Sequence, residues 1–129
     1  MKKGSKKVIF GSNLKMYKTN TEVLAYALRL QELTKDLPRD KFELFLLPSY
    51  TALPDLLKSI DQSILRIGAQ NVHYEIEGRY TGEISARMLK EIGVNLVMIG
   101  HAERRERFGE TDLFVIRFIL ASSRNNLDV

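Results

Sequence analysis

There is no cysteine in this sequence, and only two of its 129 residues are histidine. That composition excludes a disulfide framework, a thiolate metal site and a cysteine nucleophile, and it fits a reducing compartment. No apolar run approaches the roughly 18 residues that cross a bilayer as a helix, so the chain reads as soluble, with no membrane partner. The opening MKKGSKKVIF has lysines like a secretory leader, but only Val8, Ile9 and Phe10 follow before glycine and polar residues return. It reads as a mature cytoplasmic N-terminus. Also missing are a GxGxxG run, a Walker A loop and a serine nucleophile elbow. His73 and His101 belong to different segments, and neither has a second ligand at metal spacing on its own element, so no zinc site is expected.

What is present is an ordinary globular mixture, with 44% hydrophobic and 28% charged residues over a length that suits one domain, residues 1–129. The net charge of +4 is concentrated in part at Lys2, Lys3, Lys6 and Lys7. No basic stripe interleaved with aromatics follows them to stack bases, so they read as a solvated tail and nucleic acid is not an expected partner. A modest positive field can instead draw a small phosphorylated substrate.

From Lys7 onward, short apolar runs alternate with helical periods, the pattern of βα units around a parallel sheet. The first strand reads VIFGSNLKM. Thr19 and Glu22 then have capping-box spacing, so a helix is predicted from about Asn20, with Val23, Leu24, Ala27, Leu28 and Leu30 as its apolar stripe. Phe42 to Leu47 is predicted as a second strand covered on both faces, and Leu53, Leu56, Leu57 and Ile60 mark a second helix. ILRIGAQN is the third strand. The segment VHYEIEGRYTGEIS after it is long for a βα connection, which marks it as functional or interfacial. A short helix around Ala86 to Ile92 and a fourth strand, NLVMIG, follow. LFVIRFILASSRNN reads as a helix buried on most sides or as a strand, and its length favours a helix capped by Thr111 or Asp112. Leu127, Asp128 and Val129 look like the start of a fifth strand.

In parallel α/β folds, polar residues at the carboxyl ends of strands face the ligand. That rule selects Asn13 and Lys15, Gln70 and Asn71, and His101 with Glu103. Each has a plainer role open to it. Asn13 can bond the backbone of a turn, Lys15 can be a solvated surface lysine, and the two amides suit orientation better than proton transfer. His101 is either a general acid or electrophile, or a satisfied structural histidine. In ERRERFGETD, Glu106 and Arg107 read as solvated charges. The other charged residues there read equally as solvated or as an ion-pair network bracing the strand end.

Four stretches taken together resemble the triosephosphate isomerase family, in the right order and at the right spacing. GSNLKM is similar to its first-strand G-x-N-W-K-M, and GAQN to its third-strand end. GRYTGEIS resembles its third loop, G-A-x-T-G-E-x-S, and IGHAERRERFGETD resembles I-G-H-S-E-R-R-x-x-F-x-E-T-D. The resemblance runs from about Val8 to Asp112. It implies a (β/α) barrel of eight strands, about half of it present here with parallel strands. It also implies an enzyme of glycolysis and gluconeogenesis that interconverts dihydroxyacetone phosphate and glyceraldehyde 3-phosphate with no cofactor.

By position, the resemblance gives Asn13 and Lys15 the substrate's oxygen and phosphate, and His101 the carbonyl and the proton shuttle. In that family the imidazole is kept neutral by a helix N-terminus and works with a glutamate base. Glu103 matches the glutamate that pairs with the lysine. Thr81 matches the residue inserted beside a second subunit's site, which implies a homodimer with Tyr17 lining the receiving pocket. Three positions depart from the pattern: Leu14 stands for tryptophan, Ala102 for serine and Arg79 for alanine. A complete barrel needs ~250 residues, and the family's glutamate base lies on the loop after the sixth strand, which these residues do not reach. The 129-residue chain alone is therefore expected to be inactive. The alternative is a non-catalytic half-barrel module that pairs with itself or with a second half-chain.

Overall fold

A computed structural model describes residues 6–129, so Lys2 and Lys3 lie outside the described residues. Contacts divide the described residues into two compact units, one ending at Ile67 and one running from Gly68 to Val129.

In the first unit, β1 (Val8–Asn13), β2 (Phe42–Leu47) and β3 (Arg66–Ile67) form a three-stranded parallel sheet in the order β1-β2-β3. β1 and β2 pair from Val8 opposite Phe42 to Asn13 opposite Leu47. α1 (Asn20–Thr34) connects β1 to β2, and a 3-10 turn (Tyr50–Ala52) with α2 (Leu53–Ser59) connects β2 to β3. β1 stops three residues before the predicted Met16. Leu14 still donates its N–H to the Leu47 carbonyl, but Lys15 then turns into the left-handed region at φ 53°, where a strand cannot continue.

The capping box at the start of α1 is complete. The Glu22 N–H donates to Thr19 Oγ1 at 3.4 Å and the Thr19 N–H donates to Glu22 Oε2 at 2.8 Å. Those bonds to Thr19 hold the Glu22 carboxyl below its usual pKa. A carboxyl lowered by folding adds stability above its unfolded pKa and loses it as pH falls through the folded value. Thr19→Ala is therefore expected to cost about 1 kcal/mol at pH 7 and to move the Glu22 titration, followed by carboxyl-carbon NMR, only part of the way back to that of an ordinary glutamate, since the backbone N–H of residue 19 still donates to the carboxylate. An unmoved titration would show that the Thr19 hydroxyl has no share in it.

Val23 and Ala27 of the predicted stripe are buried, whereas Leu28 is exposed. β2 is covered on both faces only at Leu46 and Leu47, and its first four residues are half-buried. β1 forms an edge of the sheet, so Val8, Ile9 and Phe10 stay about half exposed. Gly11 sits opposite Phe45, and a Cβ placed there would fall 1.8 Å from that ring. Gly11→Ala is expected to push the ring off β1 and to cost about 1–3 kcal/mol by overpacking. Phe45→Leu in the same chain should recover most of that loss in a double-mutant cycle by denaturant melting. An additive result would mean that the ring does not require the glycine.

The second unit contains α3 (Ala86–Glu91), α4 (Ala102–Phe108) and α5 (Asp112–Arg124), with short parallel pairings between the segments that flank them. The predicted fourth strand, NLVMIG, is reduced to bridges. Ala69 bonds the Leu96 carbonyl and the Met98 N–H, while Asp128 bonds the Asn95 carbonyl and the Val97 N–H. Leu96 and Val97 thus lie between two parallel neighbours, but each meets its partner at one residue, too few for a continuous ladder. The third strand is correspondingly cut to Arg66–Ile67 with a bridge at Ala69. Asp128 pairs in parallel, as the start of a further strand would.

α5 is a helix, but it is not buried on most sides. Phe118 and Ser122 are buried, while Leu113, Ile116 and Leu120 are half exposed. A helix buries only the face for which its surroundings supply a partner, and a uniformly apolar stretch does not announce which face that is. Among the described residues, no helix is long and apolar enough to cross a membrane.

Candidate functional site

Asn13 and Lys15 come together at the carboxyl end of β1. Asn13 Oδ1 accepts the Lys15 N–H at 2.9 Å, closing a small turn, and Ser49 Oγ donates to the Lys15 carbonyl at 3.2 Å. These bonds hold Lys15, a non-glycine residue, at φ 53° with its side chain exposed. Backbone kept in a sparsely populated region costs about 1–3 kcal/mol and persists only where its surroundings enforce it, which happens most at functional sites. The turn-forming role open to Asn13 is thus in use, and it serves to fix the lysine. Nothing in Ser49 as a residue type signals this task; its position one residue after Pro48, beyond the β2 carboxyl end, is the clue. Tyr17 follows, almost fully exposed.

The second unit brings His101 and Glu103 together. His101 is the N-cap of α4, and its Nδ1 accepts the Glu103 N–H at 3.1 Å. Nδ1 therefore carries no proton, which places the ring proton of this neutral imidazole on Nε2. A Glu103 carboxylate oxygen lies 3.7 Å from the same Nδ1. An Nδ1 already accepting a backbone N–H cannot also donate to that oxygen, so the hydrogen bond, not an ion pair, defines the contact. The capping role was legible in principle, because an acidic first turn directly after a polar residue marks a helix start.

The charged run behind His101 divides as its two readings allowed. Arg104 donates to buried Glu110 at 2.5 Å while stacking on Phe108, and Arg105 pairs with exposed Asp112 at 2.7 Å. Glu106 and Arg107 are exposed. Gly109 ends α4 at φ 68°, a left-handed cap that suits glycine. Asn71 is buried and Gln70 half-buried.

Thr81 is exposed in a turn of the long loop. The loop's ends are joined where His73 bridges Ser85 and donates its N–H to the Ile84 carbonyl. Beneath it, the His73 ring lies 4.4 Å from both Tyr74 and Tyr80, and Tyr74 stacks on Phe118 at 5.9 Å. The loop is thus a closed excursion on an aromatic base, with its tip in solvent. Among the described residues, no three His, Asp or Glu side chains group in a way that could hold a metal.

A family model described as triosephosphate isomerase matches residues 7–129. The triosephosphate isomerase of Trichodesmium erythraeum (strain IMS101) is 43% identical over 122 residues, covering 95% of this chain and 50% of the relative. That of Clostridium botulinum (strain Loch Maree / Type A3) is 42% identical over 119 residues, covering 92% and 47%. The L-erythrulose-1-phosphate isomerase of Rhizobium etli (strain ATCC 51251 / DSM 11541 / JCM 21823 / NBRC 15573 / CFN 42) is 45% identical over 118 residues, covering 91% and 43%. The chain spans about half the length of these curated relatives.

Proposed function

Because this chain belongs to the triosephosphate isomerase family, we propose that it supplies one half of a cytoplasmic sugar-phosphate isomerase acting on dihydroxyacetone phosphate and glyceraldehyde 3-phosphate. The observation that carries this reading is His101, whose Nδ1 is occupied by the Glu103 N–H so that Nε2 presents a proton. A neutral imidazole at a helix N-terminus is the arrangement known for triosephosphate isomerase itself. In the reaction a carboxylate base moves a proton between the two substrate carbons. His101 Nε2 gives its proton to the carbonyl oxygen and takes one from the neighbouring hydroxyl. Asn13 and Lys15 bind the oxygen and phosphate, and the held backbone of Lys15 sets where the ammonium reaches. Glu103 supports the lysine. The base is not among these residues, so the 129-residue polypeptide alone is inactive.

The experiment joins residues 1–129 in frame to the C-terminal half of the Trichodesmium erythraeum relative and assays two substrates, dihydroxyacetone phosphate and L-erythrulose 1-phosphate. Turnover of the triose phosphate is expected. The name of the Rhizobium etli relative makes the erythrulose phosphate the competing substrate. A folded hybrid that turns over neither would overturn the reading.

Thr81 at the exposed loop tip supports a homodimer in which the third loops interlock beside the partner's site. Deleting residues 76 to 82 is expected to convert the joined protein from dimer to monomer by light scattering. An unchanged mass would remove Thr81 from the proposal. A second reading, assembly without catalysis, is favoured by the half-exposed apolar residues of β1 and of α5. It requires the 129-residue chain to form discrete oligomers that bind no phosphorylated substrate.

A further inference from the structure

α5 buries Phe118 and Ser122, and these two mark its inward face. At about 100° per residue, Ile116, Leu120 and Leu113 fall about 160°, 200° and 220° around the helix from Phe118, on its back. All three are half exposed. In a (β/α) barrel the helices form an outer ring and meet one another along their flanks, so the back of a helix points outward. Further helices of the same ring would lie beside α5 and leave this stripe uncovered.

The order of residues along the helix says what covers it. Asp112, Ile116, Leu120 and Arg124 are spaced by four and form one ridge, with an acid at its start, two aliphatic side chains in the middle and a base at its end. The ridge is balanced about position 118: Ile116 and Leu120 stand at equal distances on either side, and so do the opposite charges of Asp112 and Arg124. Arg124 is exposed, and Asp112, almost fully exposed, accepts from Arg105 Nη1 at 2.7 Å and keeps lone pairs for a second guanidinium. An acid first and a base last also suit the helix dipole, but the dipole gives no reason for exposed aliphatic side chains between them. Two antiparallel copies of the ridge satisfy every position. Ile116 of each copy lies against Leu120 of the other, and Asp112 meets Arg124 at both ends. Rows spaced by four pack into one another at a crossing angle of about −50°, and a two-fold axis at the level of Phe118 generates the pair. A membrane surface fits less well, because it would bring Asp112 against anionic headgroups.

We propose that the back of α5 is a self-association surface through which two copies of this chain pair antiparallel, with Ile116 and Leu120 at its centre and an Asp112–Arg124 ion pair at each end. The pairing uses neither His101 nor the loop tip at Thr81 and needs no turnover, so it does not rest on the isomerase reading. One helix pair buries less than the roughly 1,200 Å² of a standard interface, so the dimer is weak, with a Kd of about tens of micromolar.

The test is sedimentation equilibrium of the 129-residue chain from about 10 µM to about 1 mM at low salt, where exposed ion pairs are least screened. Asp112→Arg sets two bases against each other at both ends and Arg124→Asp sets two acids, and each variant alone is expected to associate about tenfold or more weakly than the parent. Mixed in equal amounts, the two variants again oppose an acid to a base at each end, and a mixed dimer about as tight as the parent's is expected. A parent that stays monomeric, single variants that associate as the parent does, or a mixture no tighter than either variant alone would each overturn the proposal. So would binding to anionic lipid vesicles by a chain that stays monomeric. If either charge variant fails to fold, as judged by its amide NMR spectrum, Ile116→Asp at a half-exposed position decides: association weakened by about tenfold or more upholds the surface, and unchanged association overturns it.

Discussion

The 129-residue chain alone is expected to isomerise dihydroxyacetone phosphate at least about 10² to 10⁴ times more slowly than the same residues joined to the C-terminal half of a relative, because a positioned general base contributes about that much. The loss should fall on kcat. In the proposed reaction His101, Lys15 and Asn13 polarise and bind, but polarising a carbonyl removes no proton from carbon. Neither Glu103 nor Glu110, the carboxylates of the same motif, is placed to take over. The Glu103 oxygen nearest His101 sits on its Nδ1 side, away from the proton-bearing Nε2, and Glu110 is engaged by Arg104. Loss of the base leaves whatever the polarising and binding groups achieve unaided, so a residual rate above that of water is compatible with the reading. Turnover by the isolated chain close to that of the joined protein would sink it. The measurement is a coupled assay on both proteins at matched concentration, with folding of the isolated chain checked by amide NMR.

Much of this arrangement was legible because it is local. The Thr19 and Glu22 spacing gave the start of α1 to the residue, since a capping box is settled within four positions. Phe42 to Leu47 stood out as a strand because proline and charge bound its apolar run on both sides. What depended on neighbours was harder to read. α5 looked buried from its apolar density, yet Leu113, Ile116 and Leu120 are half exposed, because burial belongs to the surface opposite a helix and not to the helix itself. The fourth strand looked complete from NLVMIG, yet its ladder depends on Ala69 and Asp128, which each offer one residue of pairing.

The candidate site divides in the same way. Strand ends and motif order picked out Asn13, Lys15, His101 and Glu103. The sequence could not announce the left-handed backbone of Lys15, because lysine carries no preference for that region and the bonds enforcing it come from Asn13 and from Ser49, 34 positions on. Equally hidden was that Arg39 Nε and Nη1 lack an acceptor among the described residues, because that follows from where the guanidinium is anchored and not from its neighbours in the chain.

His101 was left with two roles open, and its capping bond allows them to be separated. Asparagine is among the best N-cap residues, and its Oδ1 can accept the Glu103 N–H as Nδ1 does now. It has no second ring nitrogen and relays no proton. His101→Asn in the joined protein is therefore expected to keep the start of α4 and leave stability within about 0.5 kcal/mol, while lowering kcat by about 10² to 10⁴. His101→Ala removes the cap as well, and should add a stability loss of about 1 kcal/mol to the same kinetic defect. If the histidine were only structural, the order would reverse: asparagine would retain turnover within a few-fold and alanine would lose it in step with stability. Thermal melts and kcat measured side by side on the two variants decide between a capping residue and a proton-transfer residue. The hydrogen bond that fixes the ring predicts that it is both, with Nδ1 holding the helix and Nε2 serving the substrate.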